Sequence, residues 1–485
     1  MIWEEAAILW RGETLSSYSM TLFATKDFRN SFYDGMFAHM FATLTGGLFL
    51  TGFAVYLGMN EFMIGILGAI PFTVTIFQLP TSYLLHKHGK RRRTAYLASA
   101  AARLTWIVIL LFALFPVPNV SAKCVGILSL IFLSHAFASV SYVAWLSWTS
   151  DLVPEKIRGR FFGTRNMLCG AAGIAAILVF GRLLDYLKPG SYGLTLAFSI
   201  TFVSAVAFGM LSLHYLNQIG EVPIDTSVDH VPFRKDLMLL LKDTNFRSFL
   251  GFTCLWNFSV YFASPFFTLY FLRDLNFSYG FVAVLAMISS LADLLGMGIW
   301  GKISDRVRNR AIIRVASWVV VFLPLAWATV SPGCVVMPVF LHLVGGSFWA
   351  GINLCMNNFL LGIAPRKNRG LYISFHNIAG GVGASIGPIL AGFIVTSLIP
   401  EGLRFFSWSL LPLQIIFLTS TVLRCLSLQI FKYVREPEEI TAGQMVRTIR
   451  SVRGLNVSNG FNNLLHPVLE SSRNKMESQG PAQDS

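Results

Sequence analysis

The sequence predicts an all-α polytopic membrane protein, with twelve transmembrane helices arranged as two pseudo-symmetric six-helix bundles. Three observations lead to this fold class. The chain is too apolar for a soluble protein, it contains twelve apolar runs of membrane-spanning length, and its basic residues fall in every second connection between those runs. Together these features indicate a chain that crosses a bilayer repeatedly.

Composition sets the first limit on the class of protein. Of the 485 residues, 54% are hydrophobic and 13% are charged, whereas charged residues make up roughly 25% of an ordinary soluble domain. So much apolar surface cannot be hidden in a soluble core, and we therefore expect the exterior to face the lipid bilayer. The net charge of +14 could indicate a nucleic-acid partner. However, the basic residues form short clusters between apolar runs, which argues against nucleic acid.

The apolar runs give the number of helices. A helix needs about 20 apolar residues to cross the hydrocarbon core of a bilayer. Glycine and proline within a run are compatible with this assignment, because both are more frequent in membrane helices than in soluble ones. Twelve runs are predicted to span the membrane, and they lie near 35–57, 62–85, 94–115, 123–148, 161–184, 191–213, 247–271, 279–300, 311–330, 334–362, 371–398 and 405–430.

Basic residues are concentrated in alternate connections, as the positive-inside rule describes for cytoplasmic loops. The alternation holds along the whole chain, and only an even number of helices preserves it. We therefore expect both termini in the cytoplasm. We also expect the protein to lie in the plasma (inner) membrane. The basic residues assigned to the cytoplasm are Lys87, Lys90, Arg91, Arg92, Arg93, Lys156, Arg158, Arg160, Arg234, Lys235, Lys242, Lys302, Arg306, Arg308, Arg310, Arg366, Lys367 and Arg369.

These assignments divide the chain into five segments. A cytoplasmic N-terminal segment covers 1–34, and the first six-helix bundle covers 35–213. A polar cytoplasmic linker, 214–246, leads to the second six-helix bundle, 247–430. The tail, 431–485, is hydrophilic, and we expect it to be cytoplasmic and largely disordered.

Two similar segments indicate an internal repeat. The segment PEKIRGRFFGTRN, from Pro154 to Asn166, and the segment PRKNRGLYISFHN, from Pro365 to Asn377, share Pro, Arg-Gly and the final Asn at a constant offset. Many transporters are built from two repeated bundles with a substrate site between them near the membrane midplane. The repeat therefore favours a transporter.

The connection after the eighth run has the sequence GKISDRVRNR, from Gly301 to Arg310. We expect Gly301 to let two helices approach closely and Asp305 to accept from the N-terminus of a neighbouring helix. This segment resembles the loop pattern G-x-x-x-D-R-x-G-x-R/K of the major facilitator superfamily, and Gly301, Asp305, Arg306 and Arg310 occupy matching positions. Arg308 stands where the second Gly is usual.

The N-terminal half contains a counterpart of this motif, SYLLHKHGKR. It keeps Gly89, Lys90 and Arg91, but His86 occupies the position of the Asp in the family pattern. In the superfamily that Asp supplies a latch between the domains, so this departure puts the N-terminal latch in question. The resemblance covers about 35–435, and it implies a two-bundle fold that transports a solute across a membrane.

Four ionisable side chains lie well inside predicted spans: Arg103, His135, Asp293 and His342, in the third, fourth, eighth and tenth spans. Ionisable groups at that depth are costly and are often functional. Asp293 lies eight residues before Gly301, which is roughly 12 Å along a helix. We expect Asp293 to be the most consequential of the four, either as a proton-coupling carboxylate or as a hydrogen-bonding group between helices.

The other candidates also have a structural alternative. In the superfamily that the chain resembles, the fourth and tenth helices line the cavity. His135 and His342 therefore either contact the solute or pack against neighbouring helices. The third helix is peripheral there, which favours a structural ion pair for Arg103 over attraction of an anion. Asp34, at the edge of the first span, needs no special role. Polar residues that either line the cavity or join helices are Thr43, Thr45, Trp256, Asn257, Asn353, Asn357 and Asn358.

We predict a secondary active transporter that moves a small solute by alternating access, with proton coupling left open. The sequence contains no phosphate-binding GxxxxGK[ST] segment, no Ser/His/Asp arrangement and no Cys/His metal spacing. We therefore expect no enzymatic activity, no cofactor and no metal, and we expect the monomer to be the functional unit. The alternatives are a receptor or scaffold that transports nothing, and a lipid scramblase.

Reporter fusions test the predicted topology. Fusions after residues 60, 188 and 273 should report from the outside, and fusions after residues 90 and 480 should report from the cytoplasm, because the basic connections remain inside. A reporter after residue 90 that is active outside the cell would contradict the topology.

Overall fold

The computed structural model describes residues 25–116, 118–190, 193–221, 242–365, 369–405 and 408–436. Almost all of these residues are helical. The N-terminal bundle consists of α1 (Lys26–Leu44 and Gly47–Tyr56), α2 (Glu61–Thr73 and Gln78–His88, joined by the 3₁₀ turn Val74–Phe77), α3 (Arg91–Leu114), α4 (Val120–Leu152), α5 (Glu155–Leu187) and α6 (Gly193–Leu216).

The C-terminal bundle repeats this plan. Its members are α7 (Thr244–Leu269, followed by the π turn Tyr270–Asp274), α8 (Tyr279–Ser304), α9 (Asn309–Ala328), α10 (Val336–Ile363), α11 (Arg369–Phe393, followed by the π turn Ile394–Leu398) and α12 (Pro412–Phe431). Two short strands, β1 (Leu403–Phe405) and β2 (Trp408–Leu410), pair antiparallel before α12.

Eleven helical spans in the described part of the chain are long and apolar enough to cross a membrane. The helix α7 is 26 residues long but is not among the eleven, and it contains several polar residues, including Thr253 and Asn257. With α7, the order of helices follows the twelve predicted spans. The fold class predicted from the sequence is therefore confirmed.

Two helix boundaries differ from those predicted. The first helix begins at Lys26, whereas the sequence predicts a span from about residue 35. The last helix begins at Pro412 instead of near 405, because the preceding residues form the β1–β2 hairpin. Most of the linker, 222–241, and the tail from 437 onward lie outside the described residues, so the predictions for them stay predictions.

Apolar packing distinguishes the two ends of the molecule. We call the end with the α1–α2, α5–α6 and α7–α8 connections the closed end, and the opposite end, where α6 leads to α7, the linker end. The largest apolar cluster contains residues of both bundles, such as Phe49, Phe198, Phe266 and Val282. Three smaller clusters each contain residues of a single bundle. The bundles therefore share a core toward the closed end.

A buried arginine joins α12 to α9. Pro324 lies inside α9, and because proline has no amide hydrogen, the carbonyl of Val320 loses its usual intrahelical donor. Nη1 of Arg424 donates to this carbonyl oxygen at 2.9 Å. Arg424 is only 3% exposed, so its position is explained by the carbonyl that the proline leaves unpaired.

Candidate functional site

The two bundles are joined at the closed end by a carboxylate of α5. Oδ1 of Asp185 accepts from the amide of Tyr279 at 2.8 Å, and Oδ2 accepts from the amide of Gly280 at 2.7 Å. Both amides belong to the first turn of α8, where backbone donors have no intrahelical acceptor and the helix dipole is positive. Asp185 thus caps a helix that belongs to the other bundle.

Glycines of α2 bring its backbone against the C-terminal bundle. A Cβ atom at Gly65 would lie 2.3 Å from the carbonyl oxygen of Pro388 on α11. A Cβ atom at Gly68 would lie 2.2 Å from Cγ of Pro265 on α7. Because any side chain would collide at these distances, glycine is required at both positions in this conformation.

An ion pair and a hydrogen bond add to the closed end. Nη1 of Arg273, just after α7, donates to Oε1 of Glu61 at the start of α2 at 2.5 Å. The backbone amide of Phe62 donates to Oγ1 of Thr396, after α11, at 3.0 Å. Together with the shared apolar cluster, these contacts seal the closed end.

Polar side chains are exposed within the spans that lead to the linker end. Asn353 and Asn357 lie one turn apart on α10 and both are exposed, as are Asn166 on α5 and Asn377 on α11. Hydrocarbon offers no partner for an amide, so exposed polar side chains in a membrane protein are expected to face an aqueous cavity. Since these helices come from both bundles, the pattern fits a cavity between the bundles.

Asp34 is the centre of a buried polar network in the N-terminal bundle. It lies on α1 and is 3% exposed. Its Oδ1 accepts from Oγ of Ser212 on α6 at 2.7 Å, and its Oδ2 lies 3.4 Å from Nη2 of Arg165 on α5. Oγ of Ser212 in turn accepts from Nη2 of Arg103 on α3 at 2.7 Å. One carboxylate therefore links four helices and serves two arginines.

The position of Arg165 is fixed by its surroundings. Its guanidinium lies 4.3 Å from the centroid of the Trp145 ring on α4, within the range of a cation–π contact. Its Nε donates to the backbone oxygen of Ser31 at 3.2 Å. A Cβ atom at Gly35 would lie 2.8 Å from Cζ of Arg165, so the glycine provides the space that the arginine occupies.

The C-terminal bundle has a different polar group at the corresponding position of the repeat. There, His376 on α11 takes the place of Arg165. Nδ1 of His376 lies 3.2 Å from Oγ1 of Thr253 on α7, and its ring stacks on Phe249 with the centroids 5.1 Å apart. The side-chain amide of Asn257 donates to the backbone oxygen of Thr253 at 2.9 Å. A cluster without a carboxylate thus replaces the ion pair.

The predicted residue Asp293 is half-buried on α8 and has no hydrogen-bond or ion-pair partner among the described residues. Helical periodicity places it on the same side of α8 as Ser290 and Ser304. The exposed leucines Leu291 and Leu295 lie on a different side of the helix. The same side of α8 also carries the exposed Met297 and the buried Trp300, and Trp300 packs against Gly351 of α10. Asp293 therefore lies beside the surface that α8 packs on α10, away from the exposed leucines.

The two predicted histidines both contact a backbone carbonyl one turn earlier. Nδ1 of His135 lies 3.0 Å from the oxygen of Ile131, and Nδ1 of His342 lies 3.0 Å from the oxygen of Pro338. The ring of His342 also packs against Trp327, with the centroids 5.2 Å apart. The surroundings of His342 match the packing alternative that the sequence analysis left open.

The loop motif after α8 makes fewer contacts than predicted. A Cβ atom at Gly301 would meet no atom within 4 Å, so this glycine does not mark a close helix approach here. Asp305 is the exposed C-cap of α8 and accepts no hydrogen bond from another helix among the described residues, and Arg306 is also exposed. Nη2 of Arg310 donates to the backbone oxygen of Lys432 at 2.9 Å. Among the described residues, Gly301 and Asp305 therefore make neither of the two contacts that the sequence predicts, whereas Arg310 joins the start of α9 to the end of α12.

The N-terminal counterpart of the motif joins helices within one bundle. Gly89 ends α2 with a φ of 68°, a conformation that favours glycine. Lys90 is exposed, whereas Arg91 is buried and pairs with Asp151 at the end of α4 at 2.5 Å. The side chain of His86 lies outside the described residues.

Three polar residues of these networks are not predicted as functional from the sequence: Asp34, Arg165 and His376. Asp34 was assigned to the edge of a span because the first helix was expected to begin later than Lys26. Arg165 and His376 occupy equivalent positions, each directly before the final Asn of the repeated segment. That equivalence is the feature of the sequence that could have identified them as functional candidates.

The protein has two six-helix bundles, polar side chains between them and one sealed end. This arrangement is that of a two-bundle membrane transporter. The family model of the Major Facilitator Superfamily matches residues 35–388 and 257–456. The chain belongs to the Major Facilitator Superfamily and is a secondary transporter. The alternatives of a receptor, a scaffold or a scramblase are not favoured, and the proteins of similar fold are transporters rather than enzymes.

Solved transporter structures share the fold. A mutant of the nucleoside transporter NupG is similar with a TM-score of 0.65 and 13% identity, over 85% of this chain and 99% of that chain. A D-xylose–proton symporter gives 0.63 and 15%, over 86% and 99%. A bacterial homolog of the human lysosomal transporter Spinster, in an inward-facing and unoccupied conformation, gives 0.61 and 14%, over 88% and 100%. A sequence comparison with curated proteins gives no match.

The network around Asp34 predicts a large loss of stability when its carboxylate is removed. Asp34→Asn leaves Arg103 and Arg165 without a compensating charge, and breaking a buried pair costs about 3–5 kcal/mol. We expect a clear decrease in the thermal unfolding temperature of the purified protein. Adding Arg165→Gln should recover part of that loss, because it removes one of the two uncompensated cations.

Glu155→Gln is the matched control for this experiment. Its partner Arg158 lies at 4.0 Å and Glu155 itself is exposed, so the expected change in stability is about 1 kcal/mol or less. An Asp34→Asn variant as stable as the Glu155→Gln variant would show that the network does not stabilise the bundle.

Proposed function

We propose that the protein moves a small solute through a cavity between its bundles by alternating access, and that this conformation is the one open at the linker end. The observation that carries the proposal is the cap that Asp185 of one bundle places on α8 of the other. At the linker end, by contrast, Gly301 and Asp305 make no interhelical contact of the kind that the family motif implies with any residue that the structure describes. In alternating access the two bundles rock against each other, so that one end of the cavity is sealed while the bundles are separated at the other end.

The orientation follows from the charges. Basic residues such as Lys87, Lys156 and Lys302 are exposed at the linker end. By the positive-inside rule this end faces the cytoplasm. The conformation is then inward-open, in a plasma (inner) membrane, with both termini in the cytoplasm. Each chain contributes both bundles, so a monomer supplies a complete cavity.

The polar residues of several spans form the solute pathway in this proposal. Asn353 and Asn357 of α10 contribute amides that both donate and accept hydrogen bonds. Asn257 on α7 and His376 on α11 add further polar groups. Such groups suit a solute that carries hydrogen-bonding substituents, because each buried polar group needs a partner.

Asp293 is the residue that we assign to proton coupling. It has no partner among the described residues, and an unpaired carboxylate at that depth costs several kcal/mol unless it is protonated or reached by water. A carboxyl group in this position therefore binds a proton or releases it when the cavity changes its exposure. Asp34 has a structural role instead, because two arginines compensate its charge. One transporter of similar fold is named a D-xylose–proton symporter.

Asp293→Asn tests the coupling. Asparagine nearly retains the shape and the hydrogen-bonding capacity of the carboxyl group but cannot bind and release a proton, so the protein should fold. Uphill uptake driven by a pH gradient should be lost in proteoliposomes, while exchange down a solute gradient should continue. The labelled solute for this assay is first identified by a thermal-stabilisation screen of small molecules, since a ligand that binds the folded state raises apparent stability.

Ser290→Ala is the matched control, because it changes the same face of α8 without removing an ionisable group. It should accumulate solute at the wild-type rate. Uphill uptake by Asp293→Asn at that same rate would remove the coupling role. In that case Asp293→Leu should lower thermal stability, as expected for a residue that only packs.

A further inference from the structure

A cleft of about 600 Å³ lies at the closed end, between α5 and α8. Arg182 and Tyr186 of α5 form one wall, and Ser278, Phe281 and Val284 of the other bundle form the opposite wall. We propose that this cleft binds the headgroup of an anionic phospholipid through Arg182. The binding site lies outside the solute pathway and is separate from the coupling residue.

Arg182 is the positively charged side chain of the cleft. Asp185 also lines it, but both of its carboxylate oxygens accept from the amides of Tyr279 and Gly280. Arg182 is exposed and has no hydrogen-bond or ion-pair partner among the described residues. Asp185 keeps its charge, but its two oxygens face the amides of α8, whereas the guanidinium of Arg182 has its donors available. The planar donors of a guanidinium suit a phosphate group.

The position of Arg182 is held by close packing. A Cβ atom at Gly280 would lie 3.1 Å from Cδ of Arg182, so the stem of the arginine rests on the α8 backbone. Arg182 lies five residues before the end of α5 at Leu187, or roughly 7.5 Å along the helix. That depth matches the headgroup region of a bilayer, where arginine side chains reach for phosphates.

The walls of the cleft indicate an amphipathic ligand. Ser278 and Tyr186 lie at the outer rim, and Tyr186 is 82% exposed, as is typical of an aromatic residue in the membrane interface. Phe281 and Val284 follow Ser278 along α8 toward the membrane interior and add apolar surface. A soluble anion would leave this apolar wall unused, whereas a phospholipid places its acyl chain there.

Both bundles supply walls of the cleft, so it is complete only while the closed end is sealed. A ligand that binds one conformation better than another shifts the population toward it. An anionic lipid in this cleft therefore stabilises the sealed end. This consequence rests on the proposed alternating access, whereas the binding itself does not.

The binding is measured with a fluorophore on a cysteine introduced by Pro189→Cys, which is exposed just after α5 and does not line the cleft, in a chain whose six native cysteines have been replaced. The protein is reconstituted in vesicles, and the fluorophore is quenched by phospholipids that carry a nitroxide high on one acyl chain. Labelled phosphatidylglycerol should quench more strongly than labelled phosphatidylcholine in the wild-type background. Arg182→Gln should reduce this preference by roughly tenfold, since a charge-assisted hydrogen bond is lost.

Lys188→Gln is the matched control, because it removes an exposed positive charge at the end of the same helix but outside the cleft. It should keep the preference for phosphatidylglycerol. Equal quenching by the two lipids, or a preference that survives Arg182→Gln, would overturn the proposal. Displacement of the lipid by inorganic phosphate at constant ionic strength would overturn it too, because the site would then bind a soluble anion. None of these results depends on solute uptake, so failure of the coupling experiment would leave them interpretable.

Discussion

Two backbone amides at the start of α8 donate to the carboxylate of Asp185, which belongs to the other bundle. The sealed conformation of the closed end therefore depends on Asp185. If the closed end opens, these amides must exchange a carboxylate for water. Capping contacts of this kind contribute about 0.5–2 kcal/mol. A contribution of that size favours the closed conformation but is small enough for the end to open during transport. The ion pair between Glu61 and Arg273 adds a second contact of moderate strength, because Arg273 is partly solvated.

Glycine makes the rest of the sealed end possible. At Gly65 and Gly68 the backbone of α2 lies directly against Pro388 and Pro265. Surfaces without side chains pack closely but do not interlock, so two bundles can separate without forcing side chains through one another. The buried network around Asp34 has the opposite character. It links helices within a single bundle, and it is suited to keep that bundle rigid while the bundles move relative to each other.

The sequence predicted the helices well because the bilayer imposes them: a span must be apolar and long enough, and its flanking charges follow the positive-inside rule. The repeated segment also predicted two related halves. Side-chain positions were harder to predict because they depend on where a helix begins and how it is rotated. Asp34 was placed at the edge of a span although α1 begins at Lys26. Arg424 pairs with a carbonyl freed by Pro324, a relation between distant parts of the chain that no local pattern reveals.

The central claim is that the cap formed by Asp185 on α8 holds the closed end together. Loss of the cap should therefore open the closed end and, by alternating access, close the linker end. Spin labels at Lys188 and Asn276 report the closed end of the α5–α8 pair, and labels at Lys156 and Lys302 report its linker end; all four residues are exposed. Distances measured by pulsed electron resonance in wild type and in Asp185→Asn give the most direct test. The account predicts that the variant lengthens the Lys188–Asn276 distance and shortens the Lys156–Lys302 distance. Unchanged distances, or both distances lengthening together, would contradict it.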